Sequence, residues 1–142
     1  ALSKKRLNDM AYQLSEFIYP SDSTRVVADS LQFFWKLNEE VYSARLKIVN
    51  TTTNEIVYDQ VATNKGDLTI ALPNEGNYTW TLYSRLEDKT YIDQSFVKLS
   101  PTEAQSLVNE YNEFKAEIEP FELELKVSLL DDYLYENKIV ID

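Results

Sequence analysis

Between Leu31 and Leu99 the chain repeats one pattern, short runs of alternating apolar and polar residues separated by turn signals. Leu31, Phe33, Trp35 and Leu37 alternate with Gln32, Phe34 and Lys36, and Tyr42, Ala44, Leu46 and Ile48 alternate with Ser43, Arg45 and Lys47. A period of two sends each first set to a single buried face. The polar run Asn50-Thr51-Thr52-Thr53-Asn54 reads as a turn into a further strand from Glu55 to Val61, with Ile56 and Tyr58 in phase. Leu68, Ile70 and Leu72 lead into a turn from Pro73 to Gly76. Tyr78, Trp80 and Leu82 continue beyond it, with Thr79, Thr81 and Tyr83 on the other face, and the stretch from Tyr91 to Leu99 closes the set. About seven short strands with no helix between them predict an antiparallel β-sandwich rather than a parallel α/β sheet.

The period changes on both flanks. In residues 1–19, Leu7, Met10, Ala11, Leu14, Phe17 and Ile18 recur at three-and-four spacing, while alternation through Tyr12, Leu14 and Ile18 is broken by Glu16. A leading helix is therefore favoured over an extended arm. Pro20-Ser21-Asp22-Ser23 then makes a turn. At Ser100-Pro101-Thr102-Glu103 a Ser N-cap, Pro at the first helical position and Glu three residues after the cap form a capping box. Ala104, Leu107, Val108, Tyr111, Phe114 and Ile118 carry that helix up to Pro120. A second helix over Phe121–Glu136 follows from Leu123, Val127, Leu130 and Leu134, although Phe121, Leu123, Leu125 and Val127 also alternate with Glu122, Glu124 and Lys126 as a strand would. Its wide apolar arc predicts burial against the first helix, the sandwich, or something absent from this chain. The apolar tail Ile139-Val140-Ile141 has strong β propensity and either covers a sheet edge or continues into further chain. The expected organisation is a helix or arm over 1–19, a β-sandwich over 20–99 and a helical hairpin over 100–142.

Composition removes most catalytic chemistry. With no His and no Cys in 142 residues, the chain has no Ser-His-Asp or Cys-His site, no thiol redox pair and no usual zinc or haem ligation. Two glycines, Gly66 and Gly76, are too few for a phosphate-cradling loop. The carboxylates remain, and Glu39-Glu40, Asp131-Asp132 and Glu117, Glu119, Glu122 and Glu124 are candidates for a glycosidase pair; nothing in their context singles one out, and acids at this density form a solvated face. Asp131-Asp132 lacks the calcium-loop spacing with its glycine. The expectation is no enzyme, no cofactor and no metal. A formal charge of −10 repels phosphate backbones and anionic lipid, which disfavours nucleic acid. No apolar run reaches the roughly 18 residues of a bilayer span, so no membrane insertion is expected in this segment. A chain opening at Ala1 without a signal pattern reads as a processed or trimmed product, which leaves open a leader or membrane anchor removed from it. Asn50-Thr51-Thr52 and Asn77-Tyr78-Thr79 match the glycosylation sequon, a match common by chance.

Phe33-Phe34-Trp35, then Tyr42 with Leu46 and Ile48, then Leu72, Gly76, Tyr78 and Trp80 follow a Phe-x-Trp, Tyr-x-x-x-Leu-x-Ile, Leu-x-x-x-Gly-x-Tyr-x-Trp order. In this, residues 20–99 resemble the bacterial immunoglobulin-like or fibronectin type III-like β-sandwich modules of envelope proteins. The Leu-Pro-x-x-Gly-x-Tyr element is similar to a tyrosine corner, whose hydroxyl bonds back to the preceding turn. The absence of a Cys pair departs from antibody domains. The resemblance implies a mainly β fold followed by two α-helices, a periplasmic or cell-envelope location, a tether in some members, and no particular ligand.

Trp35, Trp80 and Tyr78 fall in phase with the buried faces, so core is the expected role, although Trp invites a sugar-stacking alternative. The outward residues carry the functional expectation. Ser43, Arg45 and Lys47 should lie beside Thr79, Thr81, Tyr83 and Arg85, a small basic and aromatic patch on an acidic protein; the plainer account is ordinary solvated strand surface. Arg45, Lys47, Tyr83 and Arg85 are the predicted partner-binding residues. The expected function is a non-catalytic protein-interaction or structural module, with another protein as partner; the alternative is a carbohydrate-binding accessory domain, with a glycan as ligand.

Overall fold

A computed structural model describes residues 2–141. The elements in chain order are α1 (Lys4–Gln13), β1 (Phe17–Tyr19), β2 (Thr24–Val26), β3 (Ser30–Lys36), β4 (Ala44–Asn50), β5 (Glu55–Ala62), β6 (Lys65–Ala71), β7 (Gly76–Ser84), β8 (Lys89–Lys98), α2 (Pro101–Glu117), α3 (Leu123–Glu136) and β9 (Ile139–Val140). The strands form a three-stranded sheet, β1-β3-β6, and a six-stranded sheet, β5-β4-β7-β8-β2-β9. Pairing is antiparallel except around β2, which runs parallel to both β8 and β9. The chain is mainly β, a two-sheet sandwich with two C-terminal helices.

The alternation seen in the sequence is what joins the sheets. Leu31, Phe33 and Trp35 of β3, Leu46 and Ile48 of β4, and Tyr78, Trp80 and Leu82 of β7 are all buried. Phe33 of the small sheet meets Trp80 of the large one edge to face at 5.2 Å, and Trp35 lies 6.4 Å from the same ring. Tyr78 stacks on Phe96 of β8 at 5.0 Å. Trp35 and Trp80 are therefore core, and neither offers a ring to a sugar. The Tyr78 hydroxyl donates to the Asn74 carbonyl at 2.5 Å, back into the turn before β7.

The end of α1 is tied to the other face of the small sheet. The antiparallel register sets Phe17 opposite Lys36 and Tyr19 opposite Phe34, so these four share a face. Lys36 Nζ donates to the carbonyls of Ala11 and Leu14 at 2.7 and 3.1 Å, placing a cation where the last turn of a helix leaves acceptors unpaired. At the other end of α1, Ser3 is the N-cap and its Oγ accepts from Arg6 N–H.

Several expectations need correction. Phe17–Tyr19 forms a strand where the leading helix was expected to run on, because pairing with β3 buries both rings, with Phe17 against Phe34 at 5.9 Å. Thr24–Val26, within the stretch expected to be sandwich but not singled out as a strand, is one; it is too short to show a period by itself. Among the described residues there are thus nine strands instead of about seven. Tyr42 precedes β4, is exposed, and bonds its hydroxyl to Glu40. A bulge between Ile48 and Val49 pairs Val49 with Ile56, turning Ile56 outward and out of phase with the core. Of the coverings expected for α3, neither the first helix nor the sandwich buries its first half, since Leu123, Leu125 and Val127 are exposed. The C-terminal Ile139-Val140-Ile141 covers a sheet edge: Arg25 N–H donates to Lys138 O and Val27 N–H to Val140 O, at 2.9 and 2.8 Å.

A basic depression on the uncovered sheet face

One face of the six-stranded sheet packs on β3, and the other carries the polar residues of the alternation. Register fixes which of them meet. Arg45 lies opposite Tyr83 and Val61, and Lys47 opposite Thr81 and Asp59. Thr81 in turn lies opposite Asp93, and Tyr83 opposite Thr90 beyond a bulge. These side chains border a depression of ≈ 420 Å³, together with Ser43 at its mouth and Arg85 just past the end of β7. All four predicted partner-binding residues, Arg45, Lys47, Tyr83 and Arg85, line it. Thr79 lies further along the face, in a second hollow with Thr51, Asn77 and Ser95.

The charges are not equivalent. The Arg45 guanidinium donates through Nε to Asp59 Oδ1 at 2.8 Å and through Nη2 to the Asp59 carbonyl at 3.2 Å, so its charge is largely answered from β5. Lys47 and Arg85 have no such ion pair among the described residues, and they supply the unanswered positive charge of the depression. The Tyr83 hydroxyl donates to Asp88 Oδ1 at 2.7 Å. This bond, reinforced by partial desolvation and the Asp88 charge, raises the phenol above its ordinary pKa, so the ring is a neutral, oriented wall. Three bases face two acids here, in a chain whose overall charge is −10.

Asp59, Thr90 and Asp93 were not anticipated. Their strands were legible, but which outward residue of β5 or β8 meets which of β4 or β7 depends on register, and bulges shift both pairings.

The carboxylate candidates are dispersed. Glu39 pairs with Lys89 at 2.7 Å and Glu40 accepts from Tyr42. Asp131 accepts from Ser3, Asp132 pairs with Arg6 at 2.7 Å, and Glu119 pairs with Lys126 at 3.8 Å. No group of three His, Cys, Asp or Glu among the described residues is placed to hold a metal ion, and no helix among them is long and apolar enough to cross a membrane. Of the two sequons, Asn50 is fully buried, its Oδ1 accepting from Thr52 and Thr53 N–H and its Nδ2 donating to Glu75 O.

No protein-family model matches the chain, and no curated protein does. Among solved structures it is similar to PorZ, an essential bacterial surface component of the type-IX secretion system of Porphyromonas gingivalis, with 14% identity and a TM-score of 0.38 over 60% of this chain. It spans 11% of the PorZ chain. It is also similar to a protein of Bacillus anthracis described as a lipoprotein, with 16% identity and a TM-score of 0.34 over 69% of this chain and 94% of that one.

Proposed function

We propose that the protein is a non-catalytic interaction module whose uncovered sheet face binds an acidic partner protein. The observation that carries this reading is the pair Lys47 and Arg85, two cations without carboxylate partners among the described residues, lining one depression with the oriented Tyr83 ring on the outward face of the sheet. Positive charge retained locally against a strongly negative whole selects an acidic surface, and an aromatic wall supplies the kind of anchor that interfaces concentrate. A glycan site needs two or three coplanar exposed rings. Tyr83 is the single ring lining this depression, and both tryptophans are core, which favours protein over carbohydrate.

The bacterial envelope setting, and an immunoglobulin-like or fibronectin type III-like character for the sandwich, rest on the resemblance of residues 20–99. The Tyr78 to Asn74 bond supports it, because it is the bond a tyrosine corner makes. Absence of catalysis is part of the same proposal.

The test is capture from a bacterial envelope extract by the wild-type chain and by Lys47→Glu/Arg85→Glu, at low and at physiological salt. The wild type should retain an acidic protein, less of it as salt rises, and the double variant should retain none while keeping its fold. Equal capture by both at both salts would make the face ordinary solvated surface.

A further inference from the structure

The apolar stripe of α3 runs off the body of the molecule. Leu134 is 2% exposed and Leu130 half-buried, yet Val127 is 44% and Leu123 72% exposed along the same line. Phe121 and Leu125 beside them are 45% and 44% exposed. Tyr133 stacks on Phe114 at 4.6 Å and lies tilted to Tyr111 at 5.9 Å, which joins α3 to α2, and among the described residues no such ring contact reaches residues 121–127. The helix also starts without help. Ser3 and Ser100 cap α1 and α2, whereas Glu122 makes no side-chain capping bond to α3.

Charge identifies what belongs there. Residues 100–142 hold eleven acids against three bases, so most of the −10 of the chain sits in this one segment. Glu122 and Glu124 flank Leu123, with Glu117 and Glu119 at the same tip, and Lys126 is drawn to Glu119. Exposed leucines inside an acidic rim are the complement of a helix with leucine-like anchors inside a lysine or arginine rim. We infer that the tip of the α2–α3 hairpin is a second docking surface, and that it receives a basic amphipathic helix of a partner protein. It is separate from the sheet face and opposite to it in charge, so failure of either proposal leaves the other standing.

A synthetic amphipathic Leu/Lys peptide of about 18 residues, long enough to hold a helix on binding, serves as the probe, read by fluorescence anisotropy on the full chain. It should bind, weaken as salt rises, and bind about tenfold less well to Leu123→Ala/Val127→Ala, in which the side chains to be covered are shortened. Both positions are exposed, so the variant keeps its fold. Glu122→Gln/Glu124→Gln should bind with a flatter salt dependence. No binding of the Leu/Lys peptide, equal binding of a scrambled peptide with no apolar face, or equal binding of a Leu/Glu counterpart would each overturn the inference. So would concentration-dependent self-association, by sedimentation, that Leu123→Ala/Val127→Ala abolishes, since the occupant would then be a second copy of this chain.

Discussion

Ser3 and Asp131 are 128 residues apart in sequence and share two hydrogen bonds: Ser3 N–H donates to Oδ1 at 3.1 Å and Ser3 Oγ donates to Oδ2 at 2.7 Å. The same Oγ accepts from Arg6 N–H at 3.2 Å, so the group that starts α1 also fastens it to α3. Asp131 is 7% exposed, and both of its carboxylate oxygens accept from Ser3.

Because one hydroxyl makes both bonds, Ser3→Ala and Asp131→Ala should not be additive. Each should cost about 1 to 3 kcal/mol, from loss of the cap in one case and of both acceptors in the other. Urea unfolding of the two single variants and the double variant measures this. A double variant whose loss equals the sum of the singles would mean that the two residues act independently.

Gly66 is required by the tryptophan across from it. A Cβ built there falls 2.3 Å from Trp35 Cζ2, and the indole cannot swing away freely, being buried and donating through Nε1 to Thr63 O at 2.9 Å. Gly66→Ala should therefore cost about 1 to 3 kcal/mol and shift Trp emission to the red as the ring is pushed toward water. Unchanged emission with native stability would show that the ring has room.

Tyr78 and Trp80 separate two roles within one strand. Trp80→Ala empties the centre of the core and should cost about 3 to 5 kcal/mol. Tyr78→Phe keeps the ring on Phe96 and loses the bond to Asn74, for about 1 kcal/mol. Thermal and urea unfolding on the same preparations check both. A Trp80→Ala chain of near-native stability that had lost affinity for a sugar would restore the carbohydrate reading.

Several phenols should resist ionisation. Burial raises Tyr111 and Tyr133 above 10.0, and the bond to Asp88 raises Tyr83. Groups whose folded pKa lies above the unfolded value stabilise the fold fully below pH 10.0 and lose that contribution as pH climbs through the folded value. Stability should thus fall above pH 10, with phenolate absorbance lagging behind that of the unfolded chain. In Tyr83→Phe the part of the lag contributed by Tyr83 should vanish while the part from the helical hairpin persists.

What could be read from the sequence divides along a physical line. Leu31, Phe33, Trp35, Tyr78 and Trp80 announced themselves because their period of two is a local property, and Ser100 to Glu103 because a capping box is complete within four residues. The outward face was legible for the same reason, as Arg45, Lys47, Tyr83 and Thr81 all fall on the outward phase of their strands. Asp59 was not, since the bulge by Ile48 resets the register of β5. Nor was the parallel β2, whose three residues take their state from β8 and β9 rather than from their own pattern. Helix α3 was legible as an apolar arc but not as to its cover, because an apolar arc reports what a surface can bury, not whether anything in the same chain covers it.

The Arg45–Asp59 pair yields the sharpest test of the sheet face. It lies at the surface, with side chains 54% and 38% exposed, so breaking it should cost no more than about 1 kcal/mol. In Asp59→Asn the guanidinium loses its answering charge while the β5 backbone carbonyl that it also touches remains. A third cation then joins Lys47 and Arg85 beside Tyr83, and the depression gains one unit of positive charge without any new residue reaching into it. An acidic partner should associate faster and more tightly, with a steeper loss on adding salt, and capture from envelope extract should rise above wild type at low salt. The reverse change, Lys47→Gln, should lower capture and flatten the salt dependence. Were Asp59→Asn to lower capture instead, Asp59 itself would be touching the partner, and the charge assigned to that partner would have to be reversed.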